Sequence, residues 1–386
     1  MSQVPLQDLG TDLCSGRLAP VEPGSLVLVT GVNGYIASTV ALLLLEKGYK
    51  VRGTVRSLTR GAYVQNEFKK FGDNFELVEV PDVAAPAAFK EAMNGVDAAI
   101  HTSAPVTFDA KKPEEQYVPS IGGTMNIMRS AHETPSVKRV MYLGSLGSAV
   151  MTGIDASKEV FTRERWNIMT QEAVKNLDDP AIGFHIYLGA KLEAEIAAWN
   201  VIKPQYAFTT FLGAIVIGGP ILREFTSPPR QDQGLGQLYD VLANPPRVDG
   251  ISPVKSGESA HAIEMVFVPD LLPEVVWIHV YDFAELFVAS LTSDKAVGKR
   301  LLGVAGRMSW AGDAEIIRKE FPSRPFPPVK ADAPTLTYPG SDVAEFDTEL
   351  EKELLGHDWR PLEEAVLSTA RDLIAKESKG WDKPAA

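Results

Sequence analysis

Leu26-Val27-Leu28-Val29-Thr30-Gly31-Val32-Asn33-Gly34-Tyr35-Ile36-Ala37 is the stretch on which the fold turns. It opens on an unbroken apolar and β-branched run, the composition of a strand buried on both faces of a parallel sheet. Two glycines follow at Gly-x-x-Gly-x-x-Ala spacing. Next comes an amphipathic segment, Ser38 to Lys47, closed by Gly48 as a helix C-cap. Strand, glycine turn and helix in that order aim backbone amides at a helix N-terminus, where an anion is held. Glycine lets those amides approach a pyrophosphate, so Gly31, Asn33, Gly34, Tyr35 and Ile36 are candidate dinucleotide-binding residues. A glycine pair alone marks only a turn; the strand and helix around it give the dinucleotide reading.

Outward from this stretch, strands and helices alternate. Strands are predicted at Lys50 to Val55, Phe75 to Val80, Ala98 to His101, Val140 to Leu143 and Phe208 to Leu212. Helices are predicted at Ala87 to Met93, Ser120 to Ala131 and Tyr187 to Trp199. The alternation predicts an α/β fold, a Rossmann-type doubly wound parallel sheet with a smaller C-terminal substrate-binding region. The rhythm breaks after Gly213, and the proline- and glycine-bearing stretch from Pro220 to Pro273 reads as surface loop or a segment over the substrate. It returns with a strand, Val275 to Val280, then Asp282 as N-cap of a helix Phe283 to Thr292, and a last helix over Leu362 to Lys376. The predicted organisation is an N-terminal extension (1–24), a dinucleotide-binding domain (25–212, rejoined by 275–303) and a substrate region (213–274 and 304–386).

The 386 residues carry 38 Lys and Arg against 50 Asp and Glu, and a net charge of −12 disfavours nucleic acid or an acidic membrane as partner. The single cysteine, Cys14, rules out an internal disulfide and a cysteine-rich metal module. No metal spacing joins His101, His185, His261 and His279, so no metal is expected. His101 and His279 read as strand-end or core histidines; a role for His185 at the substrate, two residues before Tyr187, is the less favoured reading of that residue. No apolar run approaches the roughly 18 residues of a membrane span, and no leader pattern is evident, so a cytoplasmic protein is expected. Asp178-Asp179-Pro180 reads as a helix end, and Arg163, Glu164 and Arg165 beside Trp166 as a solvated face.

Arg52-Gly53-Thr54-Val55-Arg56-Ser57 ends the second strand with arginines where an NAD site would place a carboxylate for the ribose hydroxyls. That favours the 2′-phosphate of NADP(H), with Arg56 the first candidate and Arg52 the second. Tyr187-Leu188-Gly189-Ala190-Lys191 sets a phenol and an ammonium on one helix face. A neighbouring cation lowers a phenol from its ordinary pKa of about 10, so Tyr187 can exchange a proton, while Lys191 can also hold the nicotinamide ribose. Gly144-Ser145-Leu146-Gly147-Ser148 follows the strand Val140 to Leu143 and supplies a hydroxyl for a substrate carbonyl: Ser145 first, Ser148 in reserve.

Together these residues resemble the extended short-chain dehydrogenase/reductase family, and within it the branch of dihydroflavonol, cinnamoyl-CoA and microbial aldehyde or ketone reductases. The resemblance rests on Val29 to Ala37, Gly48 to Ser57, His101 to Val106, Tyr187 to Glu195 with Ala197 to Trp199, Ile278 to Asp282 and Leu355 to Glu364. It spans most of the chain and implies NADPH-dependent reduction of an aldehyde or ketone, with Tyr187 as proton donor, Ser145 polarising the oxygen and Lys191 supporting both. It also implies that Asp82 and Val83 lie near the adenine and that Thr102, Ser103, Ala104 and Ile215 border the cofactor. Two positions depart from the family pattern: Gly144 stands where paired serines are usual, and Leu212-Gly213-Ala214 lacks a usual proline. Two other readings stay open. One is a nucleotide-sugar epimerase or dehydratase on the same scaffold, with Arg223, Arg230 and Arg247 for a diphosphate; the other is a non-catalytic NADP(H)-binding regulator. A small carbonyl compound is the expected partner, and a monomer or homodimer the expected assembly.

Overall fold

The structure is a computed structural model describing residues 19–150, 160–201, 205–229, 234–243, 275–324 and 346–381. Cys14, Arg230, Arg247, His261 and much of the stretch from Pro220 to Pro273 lie outside the described residues. The strands are β1 (Leu26–Val29), β2 (Lys50–Val55), β3 (Phe75–Glu79), β4 (Ala98–His101), β5 (Arg139–Ser145), β6 (Ala207–Gly213), β7 (Ile215–Ile217), β8 (Val275–His279), β9 (Arg300–Gly303) and β10 (Gly306–Met308). The helices are α1 (Tyr35–Glu46), α2 (Leu58–Glu67), α3 (Glu114–Glu133), α4 (Thr170–Ala173), α5 (Ile182–Asn200), α6 (Leu235–Ala243), α7 (Val280–Ala289), α8 (Trp310–Glu320), α9 (Glu349–Leu355) and α10 (Leu362–Ser378).

Seven strands form one parallel sheet in the order β3-β2-β1-β4-β5-β6-β9, as the doubly wound reading requires. Both faces are covered. Val27 and Val29 join the apolar layer of Val40, Leu44 and Phe283, whereas Leu28 joins that of Ile127, Ala194 and Trp199. A strand buried on both sides has no polar face, which is why β1 reads as uniformly apolar. The strand order reverses between β1 and β4, and a crevice opens there at the carboxyl ends.

A second sheet, β10-β8-β7, grows from that carboxyl edge: β7 follows β6 after Ala214 alone, and β10 follows β9 after Val304 and Ala305. β7 runs parallel to β8, and β10 antiparallel. β8 therefore belongs to the small sheet, so the return expected at 275 begins instead with α7. The glycine that departs from the family pattern has a packing reason here. Gly213 pairs with Gly303 across β6 and β9, and a Cβ at either would lie 3.0 Å or 2.4 Å from the Phe283 ring on α7.

Several local expectations give way to tertiary context. No helix forms over Ala87 to Met93; Ala87 adopts φ +57, and single turns carry Phe89, Ala92 and Met93 into the core. Bracketed by Pro86 and Gly95, the stretch is too short to nucleate on its own. α3 begins at Glu114, not Ser120, and runs through Pro119, with its packing on α5 offsetting the lost hydrogen bond. α1 starts at Tyr35, not Ser38, and Tyr187 lies within α5, not at its start. Asp282 is not the N-cap of α7: His279 is, its Nδ1 accepting from Tyr281 N at 3.1 Å. Asp282 instead accepts from the Arg360 backbone N at 2.8 Å and pairs with the Arg360 guanidinium. Asp179 leads into α5, accepting from Ala181 N at 2.7 Å, and does not end a helix. Helix α6 forms inside the stretch predicted to be irregular.

Candidate active site

The carboxyl ends of the central strands open onto a cavity of about 1110 Å³ among the described residues. Gly31, Asn33, Gly34, Tyr35 and Ile36 line it, with Arg56 after β2, Asp82 and Val83 after β3, Thr102, Ser103 and Ala104 after β4, then Ser145, Tyr187, Lys191 and Ile215.

The turn after β1 lies directly against the turn after β4. Gly31 adopts φ +64, and a Cβ there would stand 2.6 Å from Ser103 Oγ, so only glycine permits the approach. Thr30 Oγ1 accepts from Thr102 N at 2.9 Å and Ser103 N at 3.0 Å, which leaves its own proton for His101 Nδ1, 2.9 Å away. Burial, with the Lys191 charge adding, pushes His101 down to about 3, so it serves there as a neutral acceptor. Gly34 is the N-cap of α1, which has no side-chain cap and no acidic residue in its first turn. Its unpaired amides and dipole therefore favour an anion in the cavity. The Tyr35 phenol is committed elsewhere, donating to the Gly218 carbonyl.

The two arginine candidates separate. Arg56 is exposed at the cavity, whereas Arg52 is not among the lining residues. Arg52 donates from Nε to Glu76 Oε1 at 2.7 Å and from Nη1 to the Ala92 and Asn94 carbonyls at 2.9 and 2.6 Å. Mid-strand on β2, it is committed to Glu76 on β3 and to the turn at Ala92 and Asn94, which corrects its candidacy as a phosphate ligand. Beside Arg56 stands Arg60, on α2, which the sequence reading missed. Its sequence signal is the four-residue spacing from Arg56; Asn33 Nδ2 donates to its carbonyl at 3.3 Å.

α5 delivers Tyr187 and Lys191, both nearly fully buried. The Tyr187 phenol and the Ser145 hydroxyl line the same cavity wall. Burial pushes that phenol above its ordinary value and the polar Ser145 side chain opposes the rise, so the net shift is opposite to the lowering expected from a nearby cation. Lys191 Nζ stands 5.9 Å from the centre of the phenol ring, and burial brings the ammonium down to about 8. Phe108 packs edge-on against Tyr187, with ring centres 5.1 Å apart. Ser145 Oγ accepts from Gly147 N at 3.2 Å, while Ser148 turns away to the buried Glu195 carboxylate. Gly144 leaves room for Leu212, whose Cδ2 would lie 3.0 Å from an added Cβ.

Beyond Tyr187 the wall is largely apolar: Val150, Phe161, Phe184, Leu188, Val276 and Phe346, with Arg307 as a cation. Phe161 and Phe346 stack with ring centres 5.3 Å apart. Nothing local in the sequence joins residues so far apart along the chain. His185, for which contact with substrate is the less favoured reading, is not a lining residue; its Nε2 faces Asp179 Oδ2 at 3.7 Å. Arg163 is not on a solvated face either, since it pairs with the buried Glu351 at 2.6 Å, and Arg165 lies over the Phe161 ring. Among the described residues one group, Asp282, Glu285 and His357, has metal-like geometry, but the Arg360 guanidinium already bonds both carboxylates.

Residues 27–165 match the model of the NAD dependent epimerase/dehydratase family. The chain is 31% identical over 371 residues to aldehyde reductase 2 of Sporidiobolus salmonicolor, covering 93% of this chain and 98% of that protein. It is 27% identical to the NADPH-dependent methylglyoxal reductase of Saccharomyces cerevisiae, covering 92% and 99%. The crystal structure of yeast methylglyoxal/isovaleraldehyde reductase complexed with NADPH superposes with a TM-score of 0.73 at 23% identity, covering 92% of this chain and 99% of that one. None of the described helices is long and apolar enough to cross a membrane.

Proposed function

We propose, on the premise that the chain belongs to the extended short-chain dehydrogenase/reductase family and to its carbonyl-reductase branch, that Ser145, Tyr187 and Lys191 carry its reaction. That reaction is the NADPH-dependent reduction of an aldehyde or ketone to the alcohol. The observation that carries the assignment is the convergence of Ser145 from β5 with Tyr187 and Lys191 from α5 on one cavity wall, Lys191 Nζ standing 5.9 Å from the Tyr187 ring centre.

The residues present suit NADP(H): a glycine cradle, a bare helix N-terminus and two arginines where the cavity meets solvent. When bound, the cofactor supplies the hydride for the carbonyl carbon. The α1 amides receive the pyrophosphate, Arg56 and Arg60 the 2′-phosphate, and Lys191 the ribose hydroxyls. Ser145 donates a hydrogen bond to the substrate carbonyl oxygen, and Tyr187 gives that oxygen its phenolic proton, so hydride and proton together make the alcohol. A phenol raised by burial keeps its proton until the oxygen turns basic, which suits a donor.

The aromatic wall supports a substrate bearing an apolar group. Placing the substrate region at 213–274 and 304–386 is supported by Ile215, Arg223, Arg307 and Phe346 lining the cavity. A cytoplasmic monomer or homodimer completes the reading; the lone cysteine supports the reducing compartment. Nothing at Gly144-Ser145-Leu146 offers the acid a sugar dehydratase needs. The test is loss of nicotinamide absorbance with a panel of aryl aldehydes, α-dicarbonyls and β-ketoesters. Tyr187→Phe should cut turnover by about 10²–10⁴-fold and leave NADPH binding intact; retained turnover would refute the donor role.

A further inference from the structure

Beneath the reacting pair lies a buried charged group that hydride and proton delivery do not use. Glu195 follows Lys191 one turn along α5 and has no exposed surface; Arg300, on β9, is 6% exposed. Arg300 Nε donates to Glu195 Oε1 at 2.8 Å and Nη2 to Oε2 at 3.1 Å, a bidentate pair, and Thr210 Oγ1 on β6 donates to Oε1 at 2.9 Å. Burial alone would raise the carboxyl, but the Arg300 charge and the hydrogen bonds from Arg300, Ser148 and Thr210 overcome it and hold Glu195 ionised. A buried ion pair is weak evidence of stability, because apolar residues of similar volume often serve as well. Its outer contacts say more.

Two of them reach the site. Ser148 Oγ donates to Glu195 Oε2 and lies 2.8 Å from the Ser145 carbonyl oxygen, and Arg300 Nη2 reaches the same hydroxyl at 3.3 Å. On the other side, Arg300 Nη1 donates to the Arg163 carbonyl at 3.0 Å and to that of Arg165, with its guanidinium 3.7 Å from the Trp166 ring centre. That segment is pinned again by Asn167, whose N donates to the Ser148 carbonyl and whose Nδ2 donates to the Gly147 carbonyl, both at 2.8 Å. It carries Phe161 onto the cavity wall.

We propose that Ser148, Glu195 and Arg300 form a positioning network for the reduction: it fixes the Ser145 turn against the helix carrying Tyr187, and the same arginine docks the segment presenting Phe161 to substrate. The proposal rests on Ser145 and Tyr187 being the reacting pair. One hydroxyl hangs from a strand end and the other from a helix, so their registration depends on what ties the two elements. A misplacement of about 1 Å can cost on the order of 10²-fold in rate.

Ser148→Ala removes the tie to the Ser145 turn and leaves the Glu195–Arg300 pair whole. It is compared with wild type and Tyr187→Phe for NADPH Kd, Tm, and kcat and KM on the carbonyl that wild type reduces fastest. The expected result is a kcat lowered about tenfold or more, with Kd for NADPH and KM each within about twofold of wild type. Wild-type kcat beside a lowered Tm would overturn the proposal and reduce the network to packing. A parallel loss of NADPH affinity would overturn it too, by moving the effect to the cofactor site. Retained turnover in Tyr187→Phe would sink the reacting-pair reading and this proposal with it, whereas loss in Tyr187→Phe beside an unaffected Ser148→Ala sinks the network alone. Arg300→Lys keeps the charge without the fork; it is expected to raise KM for an aryl aldehyde more than for a small aliphatic one, and an equal change in both would contradict the docking of Phe161.

Discussion

Arg56 and Arg60 differ from Arg52 only in what surrounds them, and that decides which of the three can meet a phosphate. Arg52 is held by Glu76 and two carbonyls, while Arg56 and Arg60 stand at the cavity. A charge-assisted hydrogen bond is worth about 1.5–3 kcal/mol. Arg56→Asp should therefore raise KM for NADPH by about ten- to a hundredfold and leave KM for NADH nearly unchanged; equal changes for both cofactors would remove the 2′-phosphate role. Lys191 makes a pH prediction. Burial lowers its ammonium to about 8, so the charge is present below that pH and lost above it. Reductive kcat/KM, which reports the free enzyme, should fall as pH rises through about 8, and a profile flat across that range would separate Lys191 from the rate.

The elements most legible in the sequence were those whose pattern and tertiary role coincide. β1, its glycine turn and α1 read directly because burial on both faces and the tight turn each leave a residue signature. The stretch Ala87 to Met93 carried a helix-like apolar pattern, yet its apolar residues are buried through turns. Some constraints appear only where elements meet. Gly183, in the first turn of α5, has the Phe108 carbonyl oxygen 1.7 Å from where a Cβ would sit. Gly183→Ala must push the segment bearing Phe108 off the helix and away from Tyr187, at about 1–3 kcal/mol by the cost of overpacking. A lower Tm together with a reduced kcat is the expected outcome, and wild-type values of both would show that the segment does not position the phenol.

At the scale of the molecule, the last helices close over the sheet through groups far apart in sequence. Arg360 neutralises the fully buried Asp282 side chain and also Glu285, with His357 on Glu285 at 2.9 Å. Asp313, at the start of α8, is the opposite case: buried, with neither carboxylate oxygen hydrogen-bonded, and pushed up to about 8 by desolvation. The unfolded chain releases that proton near pH 4 and the folded chain keeps it to about 8, so stability falls as pH rises between those values and then levels. Asp313→Asn should abolish that decline and melt higher than wild type at pH 8; unchanged melting curves would mean that the carboxyl finds a partner. The doubly wound sheet and the dinucleotide turn are legible in short-range patterns of burial and glycine, and the motifs from Val29 to Ala37 and Tyr187 to Glu195 carry the resemblance to the reductases. The tertiary structure alone decided which arginines face the cavity, why Gly213 is a glycine, that the Tyr187 phenol is raised and not lowered, and that Phe161 and Phe346 share one wall. Those depend on burial and on contacts between distant segments, which no local spacing encodes.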